Sequence, residues 1–521
     1  MKRVTVIIII TAAILACAIS SCSDNGIKSS TESTEAETET MTDIFTEIIE
    51  VSETSRISPG AGFDFDDLHL PAPKFENASV HDPSVFKSGD IFYVIGSHMA
   101  SAKTTDFIKW EQITTNASTG NKLVPDVKND FKEALEWGQT QTFWAGDIYK
   151  MPDGRFFMYY CVCEGSKPLG GIGLAISDGP EGVYINQGLF LKSGMTGKSP
   201  AGKIYDATVD PNAVDPQAFF DNTGQFWLVY GSYSGGIYIL KLDSETGLPL
   251  DNQGYGVKLT GGNHSRIEAP YIVYSPETQY YYLFLSFGGL ASDGGYNIRV
   301  SRSKNPDGPY YDAAGNIMTD CKGKTGSFFD DESIGPYGVK IIGGYRFRSE
   351  AGEPGVTTGY LSPGHNSVYY DSETNRYYLI FHTRFTDKTT HEIRVHEMFL
   401  NQNGWFTVSP FRYGGGDNTQ VFTPNQIAGT YKIISHGRDI NAKAKLSETA
   451  NLNSDGSVTG AIRGLWSLGS DGQTIDIITD GRKYNGRILR CYDGDNKTWV
   501  VAFTVMSADG YALWGAGLAL K

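Results

Sequence analysis

The chain has 521 residues, a formal net charge of −15, and abundant glycine (61), tyrosine (30) and phenylalanine (27). Its length allows a large core and predicts more than one folded part. The negative net charge, without clustered Lys and Arg, excludes a nucleic-acid partner. Short aromatic strands alternate with turns and no long helical period is present, which predicts an all-β protein.

The first 22 residues predict an export signal. Two basic residues precede an apolar run that is too short for a comfortable membrane span, and small residues lead to Cys22. The stretch Ile19-Ser20-Ser21-Cys22 resembles the lipobox of bacterial lipoproteins, which implies a lipid anchor on Cys22 and an extracellular, membrane-tethered protein. A lipobox at Cys17, a plain signal peptide and an uncleaved anchor are the alternatives.

Residues 23–60 predict a disordered tether. They include "SSTESTEAETET" and are rich in Ser, Thr and Glu. Such a segment buries too little apolar surface to offset its chain entropy. We therefore expect it to separate the membrane from a folded part.

A repeated plan runs through residues 61–420, and it predicts a five-bladed β-propeller. Each copy has a polar or acidic start, an apolar strand, a turn and an aromatic strand, at a spacing typical of propeller blades. A β-sandwich is the alternative fold. The copies are "HDPSVFKSGDIFYVIGS", "WAGDIYKMPDGRFFMYYC", "VDPQAFFDNTGQFWLVYGS", "EAPYIVYSPETQYYYLFLS" and "GHNSVYYDSETNRYYLIFH".

Residues 421–521 predict a second, smaller domain. Short strands such as "GTYKII", "TIDIIT" and "TWVVAFTV" follow one another there and suit a small antiparallel β-barrel. The segment lacks convergent acids or a metal-ligand pattern. We expect it to support the propeller, with carbohydrate binding as the lesser option.

The starts of the repeats carry the candidate functional residues. In a propeller each inner strand begins near the central channel, so equivalent positions of successive repeats converge there. Charged groups drawn together in this way normally serve a purpose, although any one of them alone could cap a turn. These starts are His81-Asp82, Asp147, Asp215, Glu268 and His365-Asn366.

Three of these residues suit the hydrolysis of a sugar. Cleavage of a glycosidic bond needs one carboxylate to activate water and one carboxylic acid to protonate the leaving oxygen. A third carboxylate nearby can keep the pKa of the acid high. Asp82, Asp215 and Glu268 supply such a trio.

Taken in order, the motifs resemble those of glycoside hydrolase family 43, and specifically its endo-acting arabinanases with an added C-terminal β-domain. The resemblance covers about residues 80–413, and the final segment is similar to the small barrel of the two-domain members. The matching motifs are "VHDPSVF", "TTDFIKW", "WAGDIY", "NAVDPQAFFD", "GSYSGGIYILKLD", "EAPYI", "YYYLFLSFGG", "YNIRVSRS" and "GHNSVYYD".

The resemblance implies a role for each acid. Asp82 falls on the general base, Asp215 on the aspartate that tunes the acid, and Glu268 on the general acid. It implies endo-cleavage of α-1,5-L-arabinofuranosidic bonds in arabinan with inversion of configuration, for which the two working carboxyls lie roughly 6.5–9.5 Å apart.

The resemblance also implies residues that bind the substrate. Trp144 can lie against a sugar ring, since aromatic faces suit the C–H face of a pentose. His81, Ser232 and Tyr233 stand in the matching motifs, although Tyr233 occupies a position where tryptophan is frequent.

Two other departures from the family pattern concern the backbone. Gly146 stands where proline is usual, which puts the placement of the following Asp147 in question. Ala269 replaces the usual glycine after the acid and restricts the backbone there, but it leaves Glu268 in place.

His365 is the position that the resemblance assigns to a calcium ion near the channel axis. One histidine with water molecules is an unusual calcium site, because this ion prefers oxygen ligands. From the residues alone His365 is a hydrogen-bonded loop histidine. We therefore expect calcium only on the strength of the resemblance.

Several other functions compete with this prediction. The runner-up is an exo-acting α-L-arabinofuranosidase or β-xylosidase of the same family, which would keep the three acids. A sugar-binding propeller without activity is another, and a retaining fructan-processing enzyme is a third, although its nucleophile typically follows Asn whereas Asp82 follows His81. We expect the chain to act as a monomer.

Overall fold

The computed structural model describes residues 70–193, 204–353 and 355–518, which belong to one compact unit. The predicted signal peptide and the predicted tether lie outside the described residues. In the described part, helices are all short, and none has the length and apolar character needed to cross a bilayer.

Three four-stranded antiparallel sheets form the first three blades, and their strands follow one another along the chain. Blade 1 contains β1 (Ser84–Ser88), β2 (Ile91–Ile95), β3 (Ser101–Thr104) and β4 (Glu111–Thr114). Blade 2 contains β5 (Asp147–Lys150), β6 (Phe156–Cys163), β7 (Gly170–Ser177) and β8 (Ile185–Lys192). Blade 3 contains β9 (Gln217–Phe220), β10 (Phe226–Ser232), β11 (Gly236–Leu242) and β12 (Val257–Thr260).

Two further sheets form blades 4 and 5, and the fifth is extended by two short strands. Blade 4 contains β13 (Ile267–Ser275), β14 (Tyr280–Phe287), β15 (Asn297–Ser303) and β16 (Val339–Ile342). Blade 5 contains β17 (Tyr345–Arg346), β18 (Tyr360–Asp371), β19 (Arg376–Phe385), β20 (Glu392–Leu400), β21 (Phe406–Val408) and β23 (Lys445–Leu446).

The innermost strands of the blades close into a ring. Each contacts the next, in the order β1, β5, β9, β13 and β18, and β18 returns to contact β1. The predicted five-bladed propeller is therefore confirmed. Because every inner strand is the first long strand of its blade, all five begin at the same face of the ring, which we call the channel mouth.

Apolar cores fill the spaces between neighbouring blades. In β6, Met158 and Tyr160 join the core against blade 1, whereas Phe157 and Tyr159 join the core against blade 3. Successive side chains of a strand point to opposite faces. A strand covered on both faces is therefore apolar throughout, which explains the continuous "FFMYYCVC" of β6.

The C-terminal strands form a closed eight-stranded antiparallel barrel, as predicted. Its core includes Tyr431, Trp466, Ile477 and Phe503. The strands are β22 (Gly429–Ser435), β24 (Glu448–Leu452), β25 (Ser457–Gly460), β26 (Gly464–Leu468), β27 (Thr474–Thr479), β28 (Arg482–Asp493), β29 (Thr498–Ser507) and β30 (Ala512–Gly517).

The barrel is tied to blade 5 by pairing, packing and charge. β23 lies in the chain between the barrel strands β22 and β24, yet it pairs in parallel with β17 of blade 5. The rings of Tyr345 and Trp514 meet edge to face at 5.1 Å. Lys432 of β22 is buried and lies 2.7 Å from Glu353. This contact is a buried salt bridge between the two parts of the chain.

Helices are minor connecting elements. Two lie between blades 1 and 2, one precedes β16, and one precedes the barrel. The α-helices are Val127–Asp130, Lys132–Trp137, Asp331–Ile334 and Pro424–Ile427, and the 3₁₀ turns are Ser97–Met99 and Met318–Asp320.

Candidate active site

The channel mouth brings the predicted acids and His365 together. Asp82 and Asp215 lie two residues before β1 and β9, while Glu268 and His365 lie within β13 and β18. Nδ1 of His365 is 3.1 Å from Asp82, and the N–H of Ala269, next to Glu268, donates to Asp215 at 3.3 Å. Asp82 and Asp215 are only 5% and 8% exposed.

Asp82 is surrounded by groups that favour its charged form. Its carboxylate lies 2.7 Å from Nδ1 of His81 and 3.1 Å from Nδ1 of His365, and it accepts a hydrogen bond from Ser97. Burial alone raises the pKa of Asp82, but the two histidines and their hydrogen bonds outweigh burial and hold the pKa well below its usual value. Asp82 is therefore ionised throughout the physiological pH range.

Glu268 has the opposite balance. Burial raises its pKa above the usual value, and the repulsion from Asp82 adds to the rise, although hydrogen bonds from Tyr296 and Ser232 oppose it. The Ser232 hydroxyl donates at 2.7 Å, and Tyr296 donates to the other carboxylate oxygen. Glu268 keeps part of its surface accessible.

Asp215 shares the environment of Glu268. Burial, together with the nearby charges of Glu268 and Asp82, raises the pKa of Asp215 to about 8, although His365 opposes the rise. Adjacent carboxyls that repel each other titrate as a pair. The pair of Asp215 and Glu268 therefore retains a proton near neutral pH, and Glu268 is the more accessible of the two.

Four residues at the mouth adopt left-handed backbone angles. The φ values are 60° at Asp82, 53° at Asp215, 56° at Ala269 and 45° at His365. Non-glycine residues seldom adopt such angles, and when they do they often mark functional sites. At Ala269 the family's usual glycine would adopt this angle with less strain.

The second strand of four blades returns a polar side chain to this mouth. Each of these side chains lies near the end of an apolar strand: Ser97, Ser232, Ser286 and His382. Only Ser232 was predicted from the sequence, and this recurring position is the signal that could have revealed the other three. Their contacts are Ser97 Oγ donating to Asp82, Ser232 Oγ donating to Glu268, Ser286 Oγ accepting from the His365 N–H at 2.8 Å, and His382 Nδ1 accepting from the Asp82 N–H at 3.2 Å.

Tyr296 is a further neighbour of the acid that the sequence analysis did not single out. Its ring packs so closely against Gly364 that a Cβ there would lie 2.0 Å from a ring carbon. Glycine before His365 therefore leaves room for the ring, whose hydroxyl donates to Glu268. Sequence carries no signal for this contact, because Tyr296 and Gly364 belong to different blades.

The predicted substrate-binding residues also border the mouth. The ring of Trp144 is partly exposed, and its Nε1 donates to the Cys163 carbonyl at 2.7 Å. Tyr233 follows Ser232, and its hydroxyl donates to the Gly288 carbonyl at 2.6 Å. The ring of His81 stacks on that of His382 at 3.9 Å.

Asp147 is held by backbone and hydroxyl groups of neighbouring blades. It accepts from Ser84 and, at 2.8 Å, from the N–H of Ala218. Burial raises its pKa to about 6. Asp147 therefore joins blades 1, 2 and 3, and Gly146 before it does not prevent this placement.

Three features around His365 bear on the expected calcium ion. A histidine that binds a metal usually donates its other ring N–H to a carboxylate, and Nδ1 of His365 faces Asp82 in this way. Both polar side-chain atoms of Asn366 and Nε2 of His382 are buried without a hydrogen-bond partner among the described residues. These features fit an ion that keeps several water molecules.

Another set of potential ligands lies beside His365. One atom each of His81, Asp82 and His382 lies within 4.8 Å of the others. Asp82 belongs to this set and also contacts His365. The three histidines and Asp82 therefore form one cluster.

Comparison with known proteins places the chain among sugar-cleaving enzymes. Residues 75–332 match the model of glycosyl hydrolases family 43, and residues 410–515 match that of its C-terminal lipocalin-like domain. The chain is 52% identical over 450 residues to an extracellular endo-α-(1→5)-L-arabinanase of Bacillus subtilis, covering 86% of this chain and 95% of the relative. An extracellular endo-α-(1→5)-L-arabinanase of Thermotoga petrophila is 46% identical, with 85% and 94% covered.

Solved structures agree with these matches. A crystal structure of a glycoside hydrolase family 43 protein of Bacillus licheniformis superimposes with a TM-score of 0.83 and 50% identity, covering 86% of this chain and all of that one. The crystal structure of the endo-1,5-α-L-arabinanase of Thermotoga petrophila gives 0.81 and 45%, with the same coverage.

Proposed function

Because this chain belongs to glycosyl hydrolases family 43, we propose that it hydrolyses α-1,5-L-arabinofuranosidic bonds within arabinan, with inversion of configuration. The observation that carries the mechanism is the opposite tuning of its carboxyl groups. The pKa of Asp82 is lowered, whereas those of Asp215 and Glu268 are raised. Neighbouring carboxyls tuned apart in this way suit one base and one acid.

In the proposed mechanism Asp82 removes a proton from the attacking water. It is ionised, and His81, Ser97 and His365 fix the orientation of its carboxylate. Water that is held by this oxygen attacks the anomeric carbon on the face opposite the leaving group. The proton passes to Asp82, and no covalent sugar intermediate forms.

Glu268 supplies the proton that the departing sugar oxygen requires. The pair of Asp215 and Glu268 holds a proton near neutral pH, and the accessible member delivers it. Tyr296 and Ser232 hold the Glu268 carboxyl in place. Asp215 contributes because ionisation of both carboxyls would place two like charges side by side, so the pair keeps one proton.

We propose that four residues border the bound sugar, namely His81, Trp144, Ser232 and Tyr233. The partly exposed ring of Trp144 offers an apolar face to a furanose. The Ser232 hydroxyl donates to Glu268, and Tyr233 follows Ser232 in the chain. Both residues therefore lie beside the acid that faces the bound sugar.

The product profile on linear arabinan tests the endo mode. We expect a mixture of short oligosaccharides at early times and a rapid fall in viscosity, because internal bonds are cut. Chromatography of the early products checks this, with debranched arabinan and an aryl β-xyloside as comparison substrates. Monomer alone released from chain ends would favour the exo-acting alternative, and an absence of any cleavage would favour a binding propeller.

We further propose that calcium binds at the mouth beside His365 and Asp82. The ion would supply positive charge that offsets part of the carboxylate charge at the mouth. His365 would hold it through Nε2 while Nδ1 donates to Asp82. The support is this carboxylate–histidine pair and the buried polar atoms of Asn366 and His382.

Removal of calcium should lower both stability and activity. At 100 times its dissociation constant, a bound ion raises the free energy of unfolding by about 2.7 kcal/mol. Calorimetry of chelator-treated protein with and without added calcium measures this increment, and it should be absent from His365→Ala. Equal melting temperatures and equal activity in chelator and in calcium would refute the site.

We place the enzyme outside the cell, anchored by lipid on Cys22. The support is the N-terminal sequence and the names of the Bacillus subtilis and Thermotoga petrophila relatives, which describe extracellular enzymes. Fractionation of cells that express the full chain tests this placement, with Cys22→Ala as the variant that should leave the membrane fraction.

A further inference from the structure

Two adjacent phenylalanines are exposed beside the channel mouth. Phe328 is 71% exposed and Phe329 is 54% exposed. The ring of Phe328 stacks on that of His264 at 4.4 Å, with an angle of 11° between the planes. We call Phe328, Phe329 and His264 the aromatic platform. Exposed aromatic side chains that are stacked and adjacent often mark binding sites.

Several contacts hold Phe329 of the platform in place despite its exposure. Phe329 has a φ of 57°, an angle that is a genuine outlier for a bulky side chain. Its N–H donates to the His264 carbonyl at 3.2 Å, and the guanidinium of Arg266 lies over its ring at 5.8 Å. Arg266 also forms a salt bridge with Asp331. A strained residue that is fixed in this way points to a function.

Strand directions place the platform on the same face as the acids. β12 ends at Thr260 and β13 begins at Ile267, so the loop that carries His264 lies at the channel mouth. The ring of Phe329 meets that of Tyr233 at 5.7 Å. Tyr233 follows Ser232, whose hydroxyl donates to Glu268. The platform is therefore two contacts away from the acid.

Position relative to the acid determines which part of the substrate meets the platform. The general acid protonates the leaving oxygen, so the departing part of the chain lies on the Glu268 side of the cleaved bond. Trp144 lies on the other side, at the start of blade 2, whereas the platform lies between blades 3 and 4. A sugar chain that reached both aromatic sites would cross the mouth over the acids.

We propose that the aromatic platform binds the leaving part of an arabinofuranosyl chain, at least one sugar beyond the bond that is cut. This inference rests on the proposed function. The face of Phe328 that is turned away from His264 offers an apolar surface to the C–H groups of a pentose ring. An uncharged polysaccharide suits such a surface, because stacking on the free face of Phe328 needs no charged group.

The kinetics of Phe328→Ala on linear arabino-oligosaccharides of increasing length test this proposal. We expect kcat/KM to fall about tenfold on long chains and less on the shortest cleaved chain, because only long substrates reach the platform. With oligosaccharides labelled at the reducing end, the labelled product should become shorter. Phe329→Ala should act in the same direction, and Phe328→Tyr should keep most of the activity because it keeps the ring.

Tyr311→Ala is the matched control, since Tyr311 is a 42% exposed aromatic residue in the connection between β15 and β16. It should leave both the kinetics and the cleavage positions unchanged. Unchanged cleavage positions and unchanged kcat/KM in Phe328→Ala and Phe329→Ala would overturn the platform while leaving the proposed function standing. Failure of the unmodified protein to cleave any arabinan would overturn the proposed function and this inference together.

Discussion

Glu268→Gln should reduce the turnover of arabinan by about 10²–10⁴-fold, the usual contribution of a general acid. Glutamine keeps the shape of the side chain and can still contact Ser232 and Tyr296, but it has no acidic proton for the leaving oxygen. Binding of an oligosaccharide should remain measurable by calorimetry. The pH profile should also change: activity of the unmodified protein falls as pH rises through the raised pKa of Glu268, and the variant should lack this limb.

A substrate with a strongly activated leaving group separates an acid from a structural residue. The dinitrophenolate of a dinitrophenyl arabinofuranoside departs as a stable anion and needs no proton. Glu268→Gln should therefore lose far less activity on this substrate than on arabinan. Glu277→Gln is the matched control, because Glu277 lies exposed in the turn between β13 and β14. Equal losses on both substrates, or unchanged turnover of arabinan, would contradict the role of Glu268.

The propeller could be predicted because its signal is local and repeated. Each blade carries an aromatic strand after a turn, and β6 shows why such strands are apolar on both faces: Phe157 and Met158 enter different cores. The barrel was predictable from the same kind of pattern. The short parallel pairing of Tyr345 with Lys445 was not, because two residues far apart in sequence give no periodic signal.

The acids could be predicted, but much of what tunes them could not. Asp82 and Glu268 stand at equivalent starts of repeats, which sequence displays directly. The hydrogen bond from the Asp82 N–H to His382 spans 300 residues, and the contact of Tyr296 with Glu268 depends on the space left at Gly364. Such contacts arise only when the ring closes.

Backbone strain at the mouth is likewise visible only in the folded chain. Ala269 shows the difference clearly. Sequence indicates an added methyl group where glycine is usual, and the structure shows that this residue must adopt a φ of 56°. Its N–H then points to Asp215, next to the acid. The strain thus accompanies a hydrogen bond that ties the Asp215 carboxylate to the backbone beside Glu268.

Asp82→Asn should strongly reduce the hydrolysis of every substrate, including one with an activated leaving group. Asparagine cannot accept the proton of water, so the loss should be about 10²–10⁴-fold on both substrates, in contrast to Glu268→Gln. Asp90→Asn, in the exposed turn between β1 and β2, should have no effect.

Azide provides a second readout for Asp82→Asn, because it separates loss of a reacting carboxylate from a structural defect. This anion needs no base and can attack the anomeric carbon directly in the place of water, with the electron pair of the broken bond leaving on the departing group. We expect partial recovery of turnover on the activated arabinoside and a glycosyl azide with the configuration opposite to that of the substrate. NMR of the product identifies it. Azide would also invert the configuration if Asp82 were a missing nucleophile, so the anomer first released by the unmodified protein separates the two roles. A first product of retained configuration would require a covalent intermediate and would contradict Asp82 as the base.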